Sequence, residues 1–597
     1  MSTICIVKRT ENANRVRSIL QHIFFLVFAL YICQFTLEKF RNSMLGYGGD
    51  AFFFSWSGRA LLNNYFMPNV DQLNWPTGFN IFLSDSPLSS YILAILNTLL
   101  SPNMAYSLLA MALIYTNILL ANKLFSILGF RVLQRTLFAI LIGSLPGVTS
   151  RLAGHLPYLS LAPILICLVM IVGKNQNRQF SESKGILLKS LPYSILLIFT
   201  MYWSVYDFVI VVAVLVIFKI KTNLIPTFNF KEYSLISSFF MLSTFPLVIP
   251  KLVLLFGEKL SDQNTGSMTA DYVRLGKLNS LDVASLIFPQ QGLRYSSLSQ
   301  FLGNAPASQW TLEKNVYIGV PLILLFILSF LVKKFRNIYL MQPMQITAIT
   351  MVIISLGAAP TFNGVSLGFP AIWSSLFELP GLVNFRAPGR FFQLSSCIYV
   401  IIAALIFRSL KTNLIKFLVS GSLIFTLFSI QIAVPWFGPR EEFSNTQKQD
   451  LRNYIANETI INVPTLCTGD TSILGSIDDA NTKLIGCFGP SSSLPWYSGF
   501  KKEKNSKILA SLRCIPYQFG YALAPEKLNL FPMDTPLPDD WTSQISKDFG
   551  ATRVIIDKKY LDITECLNLK YALDKWEIEN STKILFENSR WKVLSVN

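Results

Sequence analysis

Charge is scarce in this chain. Asp, Glu, Lys and Arg make up 14% of its 597 residues, against roughly 25% in a soluble globular domain, which excludes an ordinary cytosolic enzyme. Histidine is scarcer, with only His22 and His155 present. There is no Cys-x-x-Cys pair, glycine-rich phosphate loop, dinucleotide fingerprint or His-Glu-x-x-His motif, so nucleotide-driven chemistry is disfavoured. Internal repeats and low-complexity tracts are also missing. Apolar residues are abundant: 52% of the chain, including 47 Phe, with a mean hydropathy of +0.45. They cluster in runs of about 17 to 20, the length a helix needs to cross a bilayer core. The composition predicts an α-helical polytopic membrane protein.

Apolar runs near 19–37, 104–121, 137–150, 156–172, 191–204, 206–218, 233–250, 316–332, 343–359, 391–407 and 417–435 predict about 11 transmembrane helices. Short cytoplasmic loops collect Lys and Arg, and every second connection here is basic, from Lys8 and Arg9 through Lys123 and Arg135 to Lys411 and Lys416. These segments hold 20 of the 51 basic residues and three of the 34 acidic ones, so 31 of each sign remain elsewhere. The formal charge of +17 therefore reports orientation and anionic headgroups, not nucleic acid. The N-terminus is expected in the cytoplasm and the C-terminus outside it. The first run has no small-residue cleavage site after it and reads as a retained helix.

Three extracytoplasmic segments are long: 38–103, 251–315 and 436–597. Residues 88–100 are apolar, too short to span, and flanked by Pro87 and Pro102, which predicts a helix lying in the interface. The chain divides into a membrane domain, 1–436, and an extracytoplasmic α/β domain, 437–597. In the latter, Glu458–Pro464 and Arg553–Asp557 read as strands, 540–549 and 564–576 as helices, and 583–596 as a closing hairpin. Cys467, Cys487, Cys514 and Cys566 all fall there, and four cysteines in an oxidising compartment predict two disulfides in one of three pairings. Zinc is the rival reading, weakened because neither histidine lies in that segment. A bacterial periplasm fits, with the endoplasmic reticulum lumen as the alternative.

Four places could carry chemistry. Asp50 follows Gly48 and Gly49 and precedes an aromatic helix, where it could act as an N-cap, a general base or both. Asp85 is a second carboxylate ahead of a helix. Arg151 and His155, between the third and fourth spans, pair a cation with an imidazole near the interface, although an arginine near a span end can simply snorkel. Arg386 and Arg390 flank Pro388 at the start of the tenth span, an arrangement suited to phosphate oxygens. Asp207 stands in a short turn before the sixth span, and burial in the bilayer would be costly for it.

Gly49-Asp50, Ser84-Asp85, the Arg151–His155 segment, Phe385-Arg386-Ala387-Pro388-Gly389-Arg390-Phe391 and the closing Leu585–Trp591 hairpin resemble the GT-C glycosyltransferases, polytopic enzymes that take a sugar from a polyprenyl-phosphate donor. The resemblance is closest to bacterial members and covers most of the chain. It implies a hexosyl- or pentosyltransferase of inverting type in the bacterial inner membrane, with a periplasmic C-terminal domain. Asp50 would be the catalytic base, and Arg386 and Arg390, with Arg151 and His155, would bind the donor phosphate. Its partners would be membrane lipids, the lipid-linked sugar and a glycan, lipid or other acceptor. Some relatives carry an Asp-x-Asp or Glu-x-Asp pair and bind a metal in this loop. Asp50 stands after Gly49 instead, so no cofactor and no metal ligands are expected, with a divalent metal as the open alternative. A lipid or glycan transporter, or a noncatalytic envelope assembly factor, would be the other classes.

Overall fold

A computed structural model describes residues 2–33, 49–75, 78–84, 86–173, 186–222, 230–259, 280–287, 316–357, 387–433, 445–464, 481–485, 536–562, 566–580 and 583–596, together with a few shorter pieces. Most of them are helical. Helix α1 (Ser2–Ile32) leads to the first loop, which holds α2 (Gly49–Asn63) and α3 (Pro87–Asn97). Then follow α4 (Pro102–Ile127), α5 (Val132–Gly143), α6 (Ala162–Gly173), α7 (Ile186–Trp203), α8 (Val205–Lys221), α9 (Phe230–Lys259), α10 (Val320–Leu331), α11 (Met341–Ser355), α12 (Gly389–Ser395), α13 (Cys397–Ser409) and α14 (Asn413–Ala433).

The spans Pro102–Ile127, Leu156–Gly173 and Gly389–Ser409 are long and apolar enough to cross a membrane. Val132–Gly143 with Pro146–Leu152 makes a fourth, bent by 43°. Seven further apolar helices among the described residues are shorter.

Local sequence explains the breaks. Proline opens both α3 and α4, where its missing amide costs nothing, and the Ser101 hydroxyl caps α4 by accepting from the Met104 amide at 3.5 Å. Helix α3 begins one residue and ends three residues earlier than the apolar run 88–100 suggests, with Pro87 setting its start. Between them the contact is polar and close. The Ser57 and Ser90 hydroxyls are hydrogen-bonded at 2.7 Å, and a Cβ on Gly58 would lie 2.6 Å from that of Leu93. The outward residues are apolar, with Ile95 60% and Leu99 86% exposed, an inside-out pattern that suits hydrocarbon better than water.

Beyond α14 come α15 (Asn445–Ile455), α16 (Trp541–Phe549), α17 (Leu567–Asn580) and a mixed sheet. Its strands are β6 (Thr459–Val463), β7 (Lys483–Ile485), β8 (Arg553–Asp557), β9 (Ile584–Glu587) and β10 (Trp591–Ser595). The sheet crosses the division expected at residue 436. Its edge is β2 (Leu73–Trp75) of the first loop, and the order is β2-β7-β6-β8-β10-β9, with β2, β7, β6 and β8 parallel to one another and β10 antiparallel to both β8 and β9. Two short hairpins complete the strands, β1 (Asn69–Val70) with β3 (Phe79–Asn80) and β4 (Thr361–Phe362) with β5 (Val365–Ser366).

Strand alternation divides the sheet residues between two cores. Ile460, Leu484, Ile555 and Val593 face a core continuous with the helical bundle and with Val70 and Leu73. Ile461, Ile485, Val554, Ile556 and Leu594 face a second core with Trp541, Ile545 and Phe549. With both faces covered, the central strands can be uniformly apolar. Cys566 is buried and disulfide-bonded.

Candidate functional site

A set of buried polar side chains gathers at the end of the bundle that carries the first loop. It is built on the break between α5 and α6. Leu145 ends the helical path and Pro146 starts a new short turn, Pro146–Thr149, followed by turns at Ser150–Ala153 and Leu156–Leu159. Two side chains pin this segment from outside. Asn117, fully buried on α4, donates to the Leu159 carbonyl at 2.7 Å and accepts from the Leu161 amide at 2.8 Å. The Trp203 indole at the end of α7 donates to the Pro157 carbonyl at 2.9 Å. Buried amides and carbonyls need such partners, and their placement fixes the ring of Tyr158 between them.

Arg390, 4% exposed, lies against that ring. Its Nη1 donates to the Tyr158 hydroxyl at 2.7 Å, and the guanidinium carbon sits 4.3 Å from the Tyr158 centroid and 5.2 Å from that of Tyr206. Both distances are within cation–π range. Tyr206 is held in turn: its hydroxyl accepts from the Ala387 amide at 3.2 Å and its ring is 5.0 Å from Phe391. Arg151 is fully buried. It donates from Nη2 to the Gln393 side-chain oxygen and from Nη1 to Nδ1 of His155 at 3.0 Å, and its guanidinium lies 5.8 Å from the Tyr158 centroid. A guanidinium only donates, so Nδ1 of His155 is the accepting nitrogen. Two arginines thus converge on one tyrosine, with Gln393 one turn below Arg390 joining them.

Close backbone approach brings the first loop to this cluster. A Cβ on Gly154, whose φ is +140°, would lie 3.1 Å from the amide nitrogen of Ala51. Asp50 is the neighbouring residue and the second of α2. On the other side, a Cβ on Gly147 would lie 3.0 Å from Cβ and Cγ of Gln393. Arg151, His155, Arg390 and the start of α2 are therefore assembled together. Arg386, Asp85, Cys467, Cys487 and Cys514 lie outside the described residues, as does the side chain of Asp50.

Arg390 stands at the start of α12, as the Pro388 signal suggests, and its guanidinium is buried against two aromatic rings. Tyr158, Tyr206 and Gln393 were not legible as site residues. The only cue is that Tyr158 follows Pro157 and Tyr206 precedes Asp207. Asp207 itself is fully buried in the first turn of α8, where its amide donates to the N-cap hydroxyl of Ser204 at 3.4 Å. Among the described residues neither carboxyl oxygen has a partner within hydrogen-bonding geometry. Among the described residues no three His, Cys, Asp or Glu side chains come together as a metal-binding group.

Residues 58–433 match the model of the family described as Domain of unknown function (DUF6311). Among curated proteins no sequence matches that of this chain. The arabinofuranosyltransferase AftD from Mycobacteria superposes with a TM-score of 0.50 at 10% identity, covering 98% of this chain and 40% of that one. ArnT from Cupriavidus metallidurans gives 0.45 at 9% identity, covering 98% of both chains. The oligosaccharyltransferase of Archaeoglobus fulgidus gives 0.43 at 12% identity, covering 93% of this chain and 71% of that one. The AftD likeness shows a shared fold with that protein.

Proposed function

The chain belongs to the DUF6311 family, and from that premise we propose that it is a membrane glycosyltransferase. It would move a sugar from a polyprenyl-phosphate donor to a surface glycan, lipid or other acceptor at the extracytoplasmic face. The observation that carries this reading is the convergence of buried Arg151 and Arg390 on Tyr158, beside the helix that begins with Gly49 and Asp50. Two guanidinium groups brought together in a water-poor site suit an incoming anion such as a lipid phosphate.

In the reaction, an acceptor hydroxyl oxygen attacks the anomeric carbon and forms the new glycosidic bond. The bond from that carbon to the phosphate oxygen breaks, and the lipid phosphate leaves with the electron pair. The acceptor proton passes to the Asp50 carboxylate. Base catalysis of this kind typically contributes about 10² to 10⁴-fold. Arg390 and Arg151, with Arg386 as a further candidate, hold the leaving phosphate and stabilise its charge, while His155 keeps Arg151 oriented. The eleven-span topology, an N-terminus in the cytoplasm and a bacterial inner-membrane location belong to the same proposal. No step is routed through a metal.

The test is the mass profile of surface glycans from a deletion strain of the native host, complemented with wild type or with Asp50→Asn at equal expression. Asparagine keeps much of the capping ability of aspartate but cannot accept the proton. The expected outcome is a hexose- or pentose-sized mass restored by wild type and not by Asp50→Asn. Equal restoration by both would remove Asp50 as the base and favour transport or assembly.

A further inference from the structure

The first loop and the chain beyond α14 are joined by backbone hydrogen bonds. Strand β2 pairs in parallel with β7, with Leu73 opposite Leu484. Gln72, 6% exposed, makes the connection twice: its carbonyl accepts from the Leu484 amide at 2.9 Å, and its side-chain Nε2 donates to the Asp479 carbonyl at 2.6 Å. Leu73, fully buried, and Val70 share one apolar core with Leu451, Ile455, Ile460 and Leu484. Without β2 the backbone groups along this side of β7 would be left unpaired; β2 pairs with them and becomes the edge strand itself.

The link from β2 back to α2 is short and stiff. Tyr65 and Phe66 have φ of 51° and 63°, consecutive left-handed residues that persist only where the surroundings hold them. The Phe66 amide donates to the Leu61 carbonyl at 2.7 Å, the Met67 amide to Asn64 at 2.9 Å, and the Tyr91 hydroxyl to the Phe66 carbonyl at 3.2 Å. At its far end α2 places Ala51, fully buried, against Gly154.

We propose that residues 445–596 act as a positioning element for Asp50, with Gln72 the positioning residue that ties the sheet to the loop. This rests on the reading of Asp50 as the base. The sheet holds β2, the strained Tyr65–Phe66 turn carries that constraint to α2, and α2 sets where Asp50 stands relative to Arg151 and Arg390. The terminal segment is thereby part of the site's frame and not a detachable lid.

The experiment uses the purified full-length chain in detergent. A protease site is inserted between residues 436 and 444 and cut under reducing conditions. The terminal fragment is expected to co-elute with the helical part; separation of the wild-type fragment overturns the proposal. Separately, Ala51→Cys is labelled with a maleimide and read by peptide mass. Gln72→Ala removes one side-chain hydrogen bond, worth about 1 kcal/mol, and should raise the labelling rate about fivefold. An unchanged rate overturns the proposal even if the fragment stays bound. Gln72→Glu, which cannot donate, should match Gln72→Ala. Labelling does not depend on catalysis, so loss of the Asp50 reading in the glycan assay would leave this linkage standing, and the reverse.

Discussion

Gly154→Ala tests the junction between the arginine segment and the first loop. The new Cβ meets two separate penalties. The backbone at Gly154 has φ +140°, a region that costs a side-chain-bearing residue of order 1–3 kcal/mol. The Cβ would also sit 3.1 Å from the Ala51 amide nitrogen, and because the obstacle is backbone it yields only by moving the start of α2. Gly550→Ala separates the two effects. Its φ is +69° with nothing within 4 Å of the added Cβ, so it carries conformational strain alone, about 1 kcal/mol. Thermal unfolding in detergent should show Gly550→Ala lowering the midpoint slightly and Gly154→Ala lowering it by several degrees. Sugar transfer, read in the glycan complementation assay, should be unaffected by Gly550→Ala and fall at least tenfold with Gly154→Ala, since a displacement well under 1 Å at a reacting group is felt strongly. Equal behaviour of the two variants in both assays would refute the close packing of residues 150–155 on α2 and its bearing on Asp50.

Three further outcomes are expected. Arg390→Lys keeps the charge but loses the planar stack on Tyr158 and Tyr206 and the 2.7 Å bond to the Tyr158 hydroxyl. At about 1.5–3 kcal/mol for a charged hydrogen bond, transfer should fall roughly ten- to hundredfold, and full activity would remove Arg390 from phosphate binding. Asp207→Asn removes a buried carboxyl whose oxygens have no hydrogen-bond partner among the described residues, so the melting midpoint should hold or rise; a clear fall would mean the carboxylate is structurally required. The hydrogen bond from Lys558 Nζ, 2.6 Å away, holds Glu587 below the usual carboxylate range. Its contribution is present above about pH 4.5 and is lost as pH falls through the depressed value. Glu587 is 43% exposed, so the effect is under about 1 kcal/mol, and Lys558→Met should lower stability by up to that amount at pH 7, flatten the profile between pH 5 and 3 and match wild type at pH 3.

The helices were legible because their cause is local. Apolar run length, Pro87, Pro102 and the caps at Ser101 and Ser204 act within a few residues, so the first-loop helices and the start of α4 could be placed to within a turn, while α4 runs six residues beyond the apolar stretch 104–121. The arginines were legible as candidates because cations amid apolar sequence are costly and stand out. Their environment was not, since it depends on partners far along the chain: Tyr158 lies 232 positions from Arg390, and Gln393 lies 242 from Arg151.

Composition and hydropathy by themselves determined the class of solvent this chain folds in, the helices that cross or border it, and the few polar residues worth attention. Tertiary structure alone decided that Arg390 stacks between two tyrosines, that Gly154 backs the start of α2, and that residues 73–75 complete a sheet otherwise formed more than 380 positions later. The physical reason is range. Periodicity and capping report on neighbours in sequence, whereas a three-residue strand carries no local signal, and its partner is selected only when an open sheet edge and a shared core are already in place.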